Sequence, residues 1–298
     1  VKAQVEQELD KAALSYLREP YLAQIDFANP AGEPSFNGPD SVAWRIFKNP
    51  VSLFIGGVTA VLLEFAEPRV RSGVWDRSSF RIDPVARMKR TGLAAMVTVY
   101  AARSEAEQMI TRVNKMHAKV RGQTPGGQTY RADDPMLLDW VQATAAFGFL
   151  EAYAEYVKPI GDEERDQYYA GGKAAAALYG AHGAPESLAE QRAFFADMLP
   201  LLEPSDIVFE FRQIMRRATA FPPPAHYIQR PFIRAAVDLL PPEIREVLGL
   251  GKRFGLRPFE KQVIRRMAQR ADRLALISSP PARACVRVGL PADYLYRK

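Results

Sequence analysis

The thirteen residues from Val51 to Leu63, VSLFIGGVTAVLL, carry no charge, and Glu64 ends the run. A spanning helix needs roughly 18–20 apolar residues, so this stretch is too short to cross a bilayer. It also lies too far along the chain for a signal peptide, and no basic, apolar leader is read at the N-terminal end. A helix that is apolar all round belongs inside a protein. The run therefore predicts a buried core helix over 51–66 and a fold large enough to surround it. A chain of 298 residues with 48% apolar side chains suits one such domain. The single cysteine, Cys285, excludes an internal disulfide framework and a cysteine-rich metal site. It fits a reducing compartment, so a cytoplasmic location is expected.

Around that core helix the signals are helical. Residues 2–18 predict a helix with Val5, Leu9, Ala12, Ala13 and Leu17 on its apolar side, and residues 19–40 a loop rich in Pro, Gly, Asn and Asp. A short helix is expected over 40–47. Glu67-Pro68 closes the apolar run and opens a turn. Asp83-Pro84 starts a helix to about residue 102, with Asp as cap and Pro in the first turn. Ser104-x-x-Glu107 reads as a capping box for the next helix, and Gly122 as the glycine that ends it. Residues 123–134 predict a polar loop, and Asp134-Pro135 starts a helix to about 157. Further helices are expected near 162–179, 187–198, 205–219, 228–239, 241–248 and 257–275. Pro222-Pro223-Pro224 breaks the chain before His226. Only 284–288 alternates like a strand. The fold class expected is all-α, a single globular domain of about a dozen helices. Its parts are an N-terminal helix and loop (1–39), a main helical domain (40–250) and a basic C-terminal extension (251–298) packed on the same domain.

Net charge is +6, and the excess is local: residues 252–298 hold twelve basic and three acidic side chains. Such a segment suits an anionic partner or a membrane surface; the plainer reading is a solvated helix face. No recognition motif and no interleaving of aromatic with basic residues points to nucleic acid.

The chemistry-bearing residues cluster around one histidine. His117 lies seven residues after Ile110, four after Val113 and three before Val120, which places the imidazole on an apolar helix face. A hydrogen-bonded core histidine satisfies that pattern. So does an axial ligand: with only His117, His182 and His226 in the chain and no HExxH, a multi-histidine site is not expected, but haem needs only one protein ligand. On the preceding helix Arg87, Thr91, Ala94 and Thr98 follow at steps of four, three and four, with Arg90 at the border. That stripe leaves room for a flat cofactor, or else is a solvent-facing arginine row beside a tight helix contact. Arg121, four residues after His117, could pair with a haem propionate or complement the helix dipole. Glu64 and Glu67 sit in apolar surroundings and read as a buried Arg–Glu pair or as a catalytic base. Trp75 reads as core.

The stretches AEPRVRSGVWDRSSFRIDPVARMKRTG (66–92) and RVNKMHAKVRGQTPGGQTYRADDPMLLDWV (112–141) resemble the family that unites latex-clearing rubber oxygenases with the fungal MpaB oxygenase. The combination is R-x-x-x-T, then N-x-x-H-x-x-V-R-G, then Y-x-A-x-D-P-x-x-L-x-W-V. ERDQYYAGG (164–172) and LLPPEIREVLGL (239–250) extend it, so that it covers roughly 40–250. The resemblance implies an interior pocket for haem b with His117 as the proximal iron ligand. It places Arg87 and Thr91 near the distal side, with Arg90 and Arg121 as further cofactor-binding candidates. It also implies dioxygen chemistry on an apolar, isoprenoid-like alkene, with oxidative cleavage of a carbon–carbon double bond. The sequence departs from the pattern in two ways. Arg90 stands where the rubber enzymes carry a lysine before the motif threonine, and arginine stays protonated and does not ligate iron. Relatives' histidines near Glu67, Asp76 and Gln142 are absent here. A haem- or lipid-binding helical protein without turnover is the alternative; a helical adaptor with a basic surface is a third reading.

Overall fold

The computed structural model describes residues 25–218 and 225–297. The helix expected over 2–18, the prolines at 222–224 and the side chain of His226 lie outside the described residues. Within them are thirteen α-helices and one two-stranded sheet. In chain order they are α1 (Val42–Phe47), α2 (Pro50–Glu64), α3 (Pro68–Arg77), α4 (Pro84–Tyr100), α5 (Arg103–His117), β1 (Arg121–Gln123) and β2 (Thr129–Arg131). Then follow α6 (Pro135–Tyr156), α7 (Asp162–Tyr179), α8 (Leu188–Met198), α9 (Asp206–Arg217), α10 (Gln229–Asp238), α11 (Pro242–Val247), α12 (Glu260–Ala271) and α13 (Pro280–Arg287).

The apolar run is the centre of the molecule. Asn49 caps α2, its side-chain oxygen accepting from the backbone N–H of Val51 and Ser52 at 3.1 Å each, and Pro50 fills the first turn. The helix packs along α6 and is flanked by α10 and α12. Ile55, Leu62 and Leu63 are fully buried, each worth about 1.5–3 kcal/mol of transfer free energy. Two glycines set the approach of α2 to α6: a Cβ on Gly56 would stand 2.6 Å from the Gly148 carbonyl oxygen, and one on Gly148 2.5 Å from the Gly56 oxygen. Backbone meets backbone there with no side-chain layer between. Thr59, also buried, satisfies its hydroxyl on the carbonyls of Ile55 (2.9 Å) and Ala236 (3.3 Å). Among the described residues no single helix is long and apolar enough to cross a membrane.

Local structure departs from the sequence reading in four places. Glu67-Pro68 opens not a turn but the ten-residue α3, with Glu67 as its cap. The capping box at Ser104 does not form. Its place is taken by Glu33, whose carboxylate accepts from the backbone N–H (2.6 Å) and hydroxyl (2.9 Å) of Ser104, while Glu107 pairs with Arg103. Helix α5 stops at His117 rather than at Gly122, and the expected polar loop contains the β1–β2 hairpin, with Gly122 opposite Tyr130. A Cβ at Gly122 would stand 2.6 Å from the Tyr130 hydroxyl, so the glycine serves close approach rather than helix termination. Residues 284–288 fall in and just after α13, started by Pro280 and Pro281 in its first turn; they do not form a strand.

The C-terminal helices lie against the rest. Asn49 Nδ2 donates to the Ala268 carbonyl (2.9 Å), and Lys48 Nζ to the Leu295 carbonyl (2.8 Å) and to Asp272 (3.1 Å). Arg287 is buried and donates to the carbonyls of Phe27 and Glu33, at 2.8 Å each, and to Ser35 Oγ at 2.5 Å; the Ser35 hydroxyl donates in turn to the Tyr100 carbonyl at 3.0 Å. Glu33 thus joins the start of α5 to α13.

Candidate functional site

Helices α4 and α5 form an αα-hairpin joined by Ala101 and Ala102, both buried. At about 1.5 Å per residue, Arg87 stands roughly 21 Å from that joint along α4 and His117 roughly 22 Å along α5. The Arg87 guanidinium acts on the His117 imidazole, so the two ends away from the joint lie near each other. Burial differs sharply between the two ends. The buried residues of α4 are Leu93, Val97, Val99 and Tyr100, and none precedes Leu93. Those of α5 are Ala106, Met109 and Ile110, and none follows Ile110. Val85, Met88 and Val113 are apolar yet only partly covered. The far half of the hairpin therefore leaves apolar side chains partly uncovered, and this is where the polar candidates gather.

His117 is the last residue of α5 and half-buried, with Nδ1 occluded and without a hydrogen-bond partner. Burial lowers the imidazole's pKa, the nearby Arg87 guanidinium lowers it further, and Asp133 opposes both. The ring is thus held neutral, the form that binds metal. Asn114, one turn earlier, ties α5 to the end of α7 by donating to the Leu178 carbonyl at 2.7 Å, while its own Oδ1 is buried and unpartnered. Thr98 and Tyr179 bridge α4 to α7 through their hydroxyls at 3.1 Å.

Arg87 donates to the hydroxyl of Thr91, which itself donates to the Arg87 carbonyl at 3.0 Å. The expected stacking of these two residues is therefore a direct contact, with Thr91 on the exposed side. Burial lowers the pKa of the guanidinium, Glu64 opposes, and Arg90 adds to the lowering. Arg90 also donates to Ser79 Oγ at 2.5 Å. The Glu64 side chain, at the C-terminal end of α2, makes no hydrogen bond or ion pair within the described residues. Burial raises its pKa to about 7 despite the opposing charge of Arg87. Its place at the negative end of the helix dipole acts in the same sense. Yet Glu64 keeps partial accessibility. The carboxyl is thus covered by protein but not sealed from solvent.

Glu64, Arg87 and His117 therefore form one electrostatic neighbourhood drawn from α2, α4 and α5. Two candidates fall outside it. The Glu67 carboxylate accepts from the Val70 N–H at 2.8 Å and pairs with Arg69 at 2.6 Å; it is the buried Arg–Glu pair. Arg121 does not share a helix with His117: it lies exposed on β1, so the i,i+4 relation does not apply. Trp75 is buried, edge-on to Phe65. Sequence reasoning missed Asp133 and Asn114; an asparagine inside a helix, where its propensity is poor, was the available signal. A half-open cleft of about 780 Å³ lies elsewhere, lined by Phe147, Glu151, Gln191, Phe195 and neighbours. No residue of α2, α4 or α5 borders it, so it is separate from the Glu64–Arg87–His117 neighbourhood. Among the described residues no group of three or more His, Cys, Asp or Glu is arranged for a metal ion.

Residues 44–275 match the family model described as ER-bound oxygenase mpaB/B'/Rubber oxygenase, catalytic domain. Comparison with curated proteins and with solved structures finds no match.

Proposed function

The chain belongs to the mpaB/rubber oxygenase catalytic-domain family, and on that premise we propose that it is a haem b-dependent oxygenase acting on an apolar, isoprenoid-like alkene in the cytoplasm. The observation that carries the reading is the partly uncovered apolar far half of α4 and α5, with an occluded, unpartnered imidazole Nδ1 at its edge. Haem fits these residues. One lone histidine would suffice as its protein ligand, partly covered apolar side chains would border it, and a guanidinium group would pair with a propionate. His117 would hold the iron, and Arg90 would be the anion partner; Arg121, exposed on β1, is less suited. When bound, the haem supplies dioxygen activation and the electron transfers.

The protein's own groups do the rest. Arg87 and Thr91, already bonded to each other, would offer hydrogen-bond donors to a polar substrate atom beside them. Partly covered Val85, Met88 and Val113 keep water from the alkene. Glu64, with a pKa near 7, can take an allylic proton at neutral pH and return it. Glu67 is less suited, because both its oxygens are engaged.

The test is the absorption spectrum of the purified chain, reconstituted with haem, beside that of His117→Ala. Loss of the Soret band with helicity retained by circular dichroism supports the assignment. An unchanged band and affinity in the variant refutes it. Reduced protein given an alkene and oxygen then separates an oxygenase, which releases carbonyl products, from a carrier, which does not.

A further inference from the structure

Helix α12 carries a second, separate feature. Phe259, its N-cap residue, has φ +67°, a left-handed conformation that a bulky side chain rarely adopts. That backbone holds the ring 79% exposed. Val263, one turn on, is 51% exposed. Arg266 and Arg270 continue the stripe at the next two turns, and Arg273 follows just past the helix end; all three are exposed. Spacings of four, three and four put Phe259, Val263, Arg266 and Arg270 on one face. The opposite face, Ile264 and Ala268, is buried against α2 and α6.

The charges of the segment are sorted by side. Glu260 pairs with Arg234, Asp272 with Lys48, and Asp293 with Arg297. Lys261 and Arg265 turn to Glu155 on α6. All three acids of residues 252–298 are thus engaged away from the stripe. Arg266, Arg270 and Arg273 make no ion pair among the described residues. An exposed aromatic and a valine, followed by unneutralised guanidinium groups in one line, match a surface that is apolar just below a negative plane.

We infer that this face of α12 docks on an anionic lipid surface, with Phe259 and Val263 entering the interface and Arg266, Arg270 and Arg273 meeting the headgroups. The inference is independent of the haem reading, since no site residue lies on α12. The nearest competing occupant is a polyanion such as single-stranded RNA. Arginines alone would serve that partner, and an aliphatic neighbour adds little to it.

The experiment is co-sedimentation of the full chain with phosphatidylcholine vesicles with and without phosphatidylserine, at low and high salt. Binding confined to the anionic vesicles and weakened by salt is expected. Replacing Arg266, Arg270 and Arg273 together by Gln should cut the partition coefficient on the order of a hundredfold, at about fivefold per charge. Phe259→Ser should cut it about tenfold through lost apolar insertion. Arg112→Gln, an exposed arginine on α5, should leave it unchanged. The inference is overturned by no binding, by equal binding to neutral vesicles, or by stripe variants that bind like wild type. It is also overturned if Phe259→Ser is silent while an RNA oligomer binds through the same arginines.

Discussion

Glu64→Gln isolates the energetic cost of placing a carboxyl where Glu64 sits. The side chain ordinarily titrates near 4.5 and here titrates at about 7. A carboxyl whose folded pKa lies above its unfolded value binds more protons in the native state. Its effect on stability is nil below about pH 4.5, where both states are protonated. Stability then falls as pH rises from about 4.5 to 7, and stays at the lower level above that. The slope is about 1.4 kcal/mol per pH unit, so the full loss is about 3 kcal/mol. This figure already contains the attraction of Arg87, which pulls the other way. Glutamine keeps the shape and cannot ionise. Urea unfolding of cofactor-free wild type and variant from pH 4 to pH 8 should give curves that agree in acid. They should part across the interval, with the variant the more stable at pH 8. A difference that does not change with pH would show that the carboxyl is solvated, and the reasoning from its burial would fail.

Four further outcomes test the packing. Gly148→Ala drives a Cβ into the Gly56 carbonyl and should destabilise by about 2–3 kcal/mol in thermal or urea unfolding, outweighing the roughly 1 kcal/mol that alanine offers a helix. Gly57→Ala, whose Cβ would meet only Phe149 at 3.9 Å, should instead stabilise by about 0.5–1 kcal/mol; equal effects at the two sites would dismiss the backbone contact. Phe259→Gly relieves a left-handed backbone of about 1–2 kcal/mol, less the entropy gained by the unfolded chain, so the melting temperature should hold or rise; a marked drop would mean that the ring packs on something. Arg287→Ala leaves three buried acceptors without their donor and should cost about 3 kcal/mol or more, read by the same unfolding assay.

What was legible in the chain was what neighbours in sequence decide. Asp83 and Asp134 with their following prolines started α4 and α6 as read, because a cap and its acceptor lie within one turn. The inward face of His117 followed from Ile110 and Val113 in the same way. What failed depended on distant partners. Ser104 is capped by Glu33, 71 positions away, so the local Glu107 was the wrong acceptor. Gly122 looked like a terminator because its role is set by the Tyr130 ring on the next strand. Arg121 lost its relation to His117 for the same reason. Glu64 and Glu67 are alike on paper, but only the fold makes one a helix cap and leaves the other without a partner.

The tie through Arg287 bears on what counts as the inherited piece of this molecule. The family match runs over 44–275 and contains every candidate site residue. Phe27, Glu33, Ser35 and Arg287 all lie outside it, yet Glu33 supplies the cap of the helix that ends in His117. The segment shared by descent is therefore smaller than the segment that folds as a unit. A fragment trimmed to the shared span would keep every candidate site residue and lose the bracket that fixes the start of α5.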